Sequence, residues 1–95
     1  MSTSQPTRVA IYGTGGFGRE VLQLIMVINN SDRNGTRLVE MVGWLDGDSE
    51  VHGKIIHGFP VLGGEEWLKG GRDVKVAVGV GSPAAKRAVV QKIRA

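Results

Sequence analysis

Apolar positions along this chain fall in short, nearly unbroken runs, and each run ends at glycine or at a polar cluster. Residues 8–12, Arg-Val-Ala-Ile-Tyr, follow Pro6 and stop at Gly13. A short apolar run without alternation predicts a strand covered on both faces, as in a parallel sheet. Residues 20–28 carry apolar side chains at 21, 22, 24, 25, 26, 27 and 28. That spread predicts a helix apolar nearly all round, with one side on the sheet and the other turned to a second surface. Residues 29–37 are polar and contain Asn34-Gly35, a turn signal. A second strand is expected over 38–46, closing on Asp46, with a turn at 47–49. Residues 55–62 predict a short strand or extended piece, broken by Gly58 and Pro60. A short helix over 65–69 is stopped by Gly70-Gly71, and another strand covers 74–80. Ser82 then caps a last helix, with Pro83 at its first position and Val89, Val90 and Ile93 as its apolar stripe.

Strands that alternate with helices argue for a parallel sheet covered on both faces through right-handed crossovers. The expected fold is a small three-layer α/β domain with a short parallel sheet of about four strands. At 95 residues the chain is one domain with one modest core. No internal repeat, linker or low-complexity stretch interrupts it.

Glycine is over-represented, at 15 residues against a usual share of about 7%, and the most informative cluster follows the first strand. Gly13-Thr14-Gly15-Gly16-Phe17-Gly18 fits G-x-G-x-x-G, and its place between a strand and a helix gives the pattern meaning. Gly13 permits the tight turn, Gly15 lets the backbone approach a phosphate, and Gly18 lets the helix pack close to the strand. Free N–H groups and the positive end of the helix then attract the anion, with Arg19 beside them. The competing reading is a glycine-rich turn that holds no ligand.

Two further segments belong to the same end of a parallel sheet. Asp46 closes the second strand, where an acid can accept a hydrogen bond from a ribose hydroxyl. It lies 46 − 18 = 28 residues after Gly18, against about 20 in the usual pattern. The polar loop over 29–37 absorbs the excess. A turn-initiating aspartate in Asp46-Gly47-Asp48 explains the same residues without a ligand. Gly79-Val80-Gly81 follows the last strand and is placed by topology beside the first glycine turn. As a connector leading to the capping Ser82, it also needs no ligand.

The remaining chemistry narrows the choices. The chain has no cysteine, which removes disulfides and thiolate chemistry and fits a cytoplasmic setting. Residues 1–8 show no basic region followed by an apolar core, so no secretory leader is expected, and no run is long enough to span a bilayer. The net charge of +3 is scattered, with a local excess at Lys86, Arg87, Lys92 and Arg94. With aromatics at 5%, this reads as a solvated helix face and not as a nucleic-acid surface. His52 and His57 sit among glycines without a matched nucleophile or metal-ligand set, so both read as turn or surface residues. Trp44 and Trp67 read as core or interface. No catalytic, metal or cofactor site is assigned.

Residues 9–21, the block Val42-Gly43-Trp44-Leu45-Asp46-Gly47-Asp48, the block Gly58-Phe59-Pro60-Val61-Leu62-Gly63, and Val76-Ala77-Val78-Gly79 together resemble the N-terminal domain of PglD/NeuD-like sugar acyltransferases. The resemblance runs from Arg8 to the end of the chain. It implies a Rossmann-like domain that binds a nucleotide-sugar, typically a UDP-sugar. It also implies a following left-handed β-helix that trimerises, binds acetyl-CoA and carries the catalytic histidine. Carried onto this sequence, Gly13, Thr14, Gly15, Gly16, Phe17, Gly18 and Arg19 would meet the phosphates. Asp46, Gly47 and Asp48 would lie near ribose or base, and Gly79, Val80 and Gly81 near the nucleotide. The chain departs from the family pattern at Phe17, where histidine is frequent, and at Gly47, where the second acid moves on to Asp48. Its loop at 80–82 is longer. No hexapeptide repeats occur in the 95 residues, so acyl transfer by this chain alone is not expected. Two other readings stay open: an NAD(P)-binding fragment of an oxidoreductase, and a non-enzymatic docking or oligomerisation module.

Overall fold

The computed structural model describes residues 6–30, 38–70 and 72–94. It runs β1 (Thr7–Tyr12), α1 (Gly16–Asn30), β2 (Val39–Leu45), a 3-10 turn (Ser49–Val51), β3 (Ile55–Ile56), β4 (Phe59–Gly63), a second 3-10 segment (Glu65–Gly70), β5 (Lys75–Val78) and α2 (Pro83–Arg94). The described strands form one sheet in the order β3-β4-β2-β1-β5. β1 pairs in parallel with β2 and β5, and β2 in parallel with β4. These four are the parallel strands expected from the sequence. The two-residue β3 adds a fifth, antiparallel to β4, so the sheet is mixed.

Alternation along β1 divides the core between the two faces. Ile11 packs with Leu22 and Ile25 of α1 and with Met41, Trp44 and Val61. Ala10, Tyr12 and Leu45 point the other way, against Trp67, Leu68, Val74, Val76 and Val89. The result is three layers: α1, the sheet, and α2 with the second 3-10 segment. Complete burial of Ile11, Trp44 and Leu45 stabilises the fold by about 1.5–3 kcal/mol for each aliphatic side chain. Trp44 reaches the α1 face through an irregularity in β2. Val9 pairs with Met41 but Ala10 pairs with Gly43, so Val42 is an extra residue. This bulge reverses the phase of the strand, and Met41 and Trp44, three apart, share a face. The Trp44 indole then donates from Nε1 to the carbonyl of Ile56 at 2.8 Å.

Several boundaries differ from the sequence reading. α1 begins at Gly16 instead of residue 20, because the last part of the glycine motif already forms the first helical turn, with the Arg19 N–H on the Gly15 carbonyl at 3.0 Å. It also runs on to Asn30. Asn29 ties that end to β2, donating from Nδ2 to Val39 O at 2.8 Å and accepting from the amides of Leu38 and Val39. The broken piece over 55–62 is two strands joined by His57-Gly58, with φ of 50° and 85°. Positive φ at both positions is the type I′ geometry that matches strand twist, and histidine tolerates it better than most residues. β5 is shorter than the predicted strand. The Asn34-Gly35 turn and Gly71 lie outside the described residues, as does the side chain of Ile93. Trp67 is half-buried against the second core cluster, with the Arg72 guanidinium 4.2 Å above its ring.

α1 buries Leu22 and Ile25 but leaves Leu24, Met26 and Val27 exposed. No helix among the described residues is long and apolar enough to cross a membrane.

Candidate functional site

β1 leads into Gly13, whose φ of 113° is open to glycine and strained for other residues. Its N–H donates to Leu45 O at 2.7 Å, and the Gly79 N–H donates to Tyr12 O at 2.8 Å. The ends of β2, β1 and β5 are thereby held side by side. Gly13, Gly18 and Gly79 converge here. A Cβ on Gly13 would stand 2.8 Å from Gly79 O, and one on Gly79 would stand 2.6 Å from the Gly18 Cα. A Cβ on Gly18 would overlap the Gly13 carbonyl. These three glycines let the first turn of α1 sit directly on the strand ends.

Gly15 and Gly16 are different. A Cβ on either would meet nothing within 4 Å. Both are exposed. Their amides and that of Phe17 come before the first helical hydrogen bond, and no acceptor for them is found among the described residues. They stand at the positive end of a 15-residue helix. Arg19 is exposed one turn further on. Backbone donors, a helix end and open space suit a phosphate.

The second acid-bearing segment lies against this turn. Asp46 Oδ2 accepts from the Thr14 amide at 3.0 Å and from Thr14 Oγ1 at 2.8 Å. Its Oδ1 accepts from the Asp48 amide at 2.9 Å. The 28-residue separation from Gly18 therefore still brings the acid to the glycine turn. Asp48 accepts from the Glu50 amide and caps the 3-10 turn. Gly47 lies beside the Tyr12 hydroxyl, which a Cβ there would approach to 3.3 Å.

The loop after β5 also arrives where topology placed it. Val80 lies against Gly13, and the Phe17 ring lies against the backbone of Gly81. A basin of about 520 Å³ starts at Gly81 and continues along α2 past Pro83, Lys86, Arg87, Val90 and Gln91. The glycine turn itself is an open shelf and lines neither this basin nor the three smaller concavities.

Several groups at this end of the sheet carry no sequence signal. The Tyr12 hydroxyl donates to Glu65 Oε2 at 3.1 Å. Burial, then the Glu65 hydrogen bond, then the charges of Glu65, Asp46 and Glu66 push its pKa up to about 12. Glu66 accepts the Gly64 amide at 2.9 Å, and this bond first, with its own amide and the charges of His52 and Lys69 adding, holds its carboxyl below the usual range. His52, read from sequence as a turn or surface residue, is half-buried and donates from Nε2 to Asp46 O at 2.7 Å. His57 is exposed in the hairpin turn. The glycine motif pointed to the turn, but nothing in the spacing pointed to Tyr12, His52, Glu65 or Glu66. Among the described residues no group of three or more metal-ligating side chains converges.

A family model described as the PglD N-terminal domain matches residues 8–93. No curated protein matches the chain at a significant level.

Proposed function

Since the chain belongs to the PglD N-terminal domain family, we propose that it is the nucleotide-sugar-binding part of an acetyl-CoA-dependent sugar acetyltransferase, with a UDP-sugar as its ligand. The amides of Gly15, Gly16 and Phe17 take the pyrophosphate, and Arg19, exposed one turn further on, supplies a positive charge. The loop of Gly79, Val80 and Gly81 forms the far wall, and the segment of Asp46, Gly47 and Asp48 the near one. The domain holds its ligand without reacting with it. Catalysis, acetyl-CoA binding and trimerisation fall to the β-helix of the parent protein, in the cytoplasm.

One observation carries this reading: the backbone at Gly15 and Gly16 is open, with amides that no group among the described residues takes up. Three amide bonds to an anion, each worth about 1.5–3 kcal/mol when made to a charged acceptor, are enough to seat a pyrophosphate on an open shelf. Calorimetry with a UDP-sugar and with NADH tests it. Heat of binding with the UDP-sugar and none with NADH is expected. Tight NADH binding with a silent UDP-sugar overturns the proposal in favour of a dinucleotide site.

The docking alternative has its own observation in the exposed Leu24, Met26 and Val27 of α1. Sedimentation that stays monomeric at every concentration removes self-association from it.

A further inference from the structure

Asp46 stands where the dinucleotide pattern puts an acid that reads a ribose hydroxyl. Here its carboxylate faces inward. A carboxylate offers about four lone-pair sites. Oδ2 takes two donors from Thr14, the amide at 3.0 Å and the hydroxyl at 2.8 Å. Oδ1 takes the Asp48 amide at 2.9 Å. The backbone of the same residue is fixed as well: its N–H donates to Gly63 O at 2.9 Å, and its carbonyl accepts from His52 Nε2 at 2.7 Å. Asp46 thus joins the end of β2 to the residue immediately before the open Gly15-Gly16 backbone. Thr14 is the one residue of the turn between Gly13 and Gly15, and its amide and hydroxyl both go to this one oxygen.

We infer that Asp46 and Thr14 are positioning residues that clamp the glycine turn in its open shape, and that the site accordingly takes nucleoside diphosphates by the pyrophosphate without distinguishing ribose from 2′-deoxyribose. The clamp holds whatever the turn binds; the lack of ribose selectivity rests on the nucleotide reading above. Deoxyribonucleotide sugars then belong to the ligand class beside UDP-sugars. The remaining lone pair of Oδ1 is the place where a ribose hydroxyl would have to donate if the acid read the sugar instead.

Asp46→Asn separates the two roles by arithmetic of donors. An amide has one acceptor oxygen, so it satisfies Thr14 or the Asp48 amide but not both. Thr14→Val keeps the carboxylate and removes one of the two bonds to Oδ2. In the ligand-free chain, amide exchange by NMR reports the clamp. The Thr14 amide is expected to exchange about tenfold faster in Asp46→Asn, while the Ile11 and Trp44 amides in the core keep their rates. An unchanged exchange rate for the backbone amide at position 14 in both variants overturns the clamp. Should Asp46→Asn unfold, Thr14→Val alone decides.

Calorimetry with UDP, 2′-deoxy-UDP and inorganic pyrophosphate reports the selectivity. The unmodified chain is expected to bind UDP and 2′-deoxy-UDP within about threefold of each other. Each variant should weaken all three probes by a common factor, about tenfold for Asp46→Asn. A preference of tenfold or more for UDP that disappears in Asp46→Asn makes Asp46 a ribose contact and overturns the selectivity. A chain that binds none of the three overturns the nucleotide reading and the selectivity with it, and the exchange result then judges the clamp by itself.

Discussion

Tyr12 is the chain's single tyrosine, so its ionisation can be followed without interference from another phenol. It is the last residue of β1, 4% exposed, one step before the glycine turn. Its hydroxyl donates to Glu65 Oε2 at 3.1 Å. Ionising it would place a phenolate in a buried position, remove that donor, and add a negative charge beside Glu65, Asp46 and Glu66. All of these effects oppose ionisation, burial the most, and the pKa rises from 10.0 to about 12. The folded pKa lies above the unfolded one, so the fold gains stability from the neutral phenol. That gain is complete below pH 10 and disappears as pH climbs through 12. Two units correspond to about 3 kcal/mol, an upper figure for the loss across that window.

Ultraviolet absorbance of tyrosinate reads the titration, with circular dichroism recorded on the same samples to mark unfolding. The folded chain is expected to titrate near 12 and the chain in guanidinium near 10. Glu65→Gln keeps an acceptor for the hydroxyl but removes the charge. Its midpoint should fall and still stay above 10, because burial is the larger cause. A midpoint of 10 in chain that dichroism shows to be folded would refute the buried, acid-flanked placement of Tyr12. A midpoint that does not move in Glu65→Gln would refute the contact with Glu65.

The glycines and the hairpin give two more tests. Gly18→Ala drives a Cβ into the Gly13 carbonyl and is expected to cost roughly 3 kcal/mol or more, read as a fall in thermal midpoint. Gly15→Ala meets no protein atom and should leave stability within about 0.5 kcal/mol while weakening UDP in calorimetry. Equal stability losses for the two would contradict the division between them. His57→Asn places a residue better suited to φ of 50° ahead of Gly58. It should raise stability by about 0.5 kcal/mol, read as a higher urea midpoint at constant slope, and a lowered midpoint would count against the type I′ turn.

Much of the architecture was legible because it depends on local signals. The apolar runs at β1, β2 and β5 marked strands buried on both faces, and the glycine motif marked the strand-to-helix turn. Topology placed Gly79-Val80-Gly81 beside that turn, where the Gly79 N–H indeed meets Tyr12 O. What stayed hidden depends on contacts far apart in sequence or on backbone conformations that residue type signals weakly. Tyr12 and Glu65 are 53 positions apart, and Thr14 and Asp46 are 32 apart. No periodicity of 2 or 3.6 encodes either pair. The bulge at Val42 changes the face of Trp44 without disturbing the apolar run that contains it. His57-Gly58 passed as a break because histidine is not a typical turn-former, although Gly58 supplies half of the signal. Asp46 was legible as an acid at the right strand end, but the spacing could not say that its carboxylate points inward to Thr14.

The case for a ligand is strongest in what the fold does not require. A glycine motif mixes residues needed for packing with residues needed for access, and the sequence treats them alike. In this structure the two separate. Gly13, Gly18 and Gly79 are explained by one another, since a side chain on any of them meets backbone at under 3 Å. Their presence would be the same in a domain that bound nothing. Gly15 and Gly16 have no such explanation. Relative to alanine, a glycine inside regular structure costs roughly 0.5–1 kcal/mol of chain entropy, and Gly16 stands in the first turn of α1. No close approach within the described chain offsets that cost. In the function proposed above, the benefit of a bare backbone there is access, since exposed amides at the positive end of a helix suit an anion.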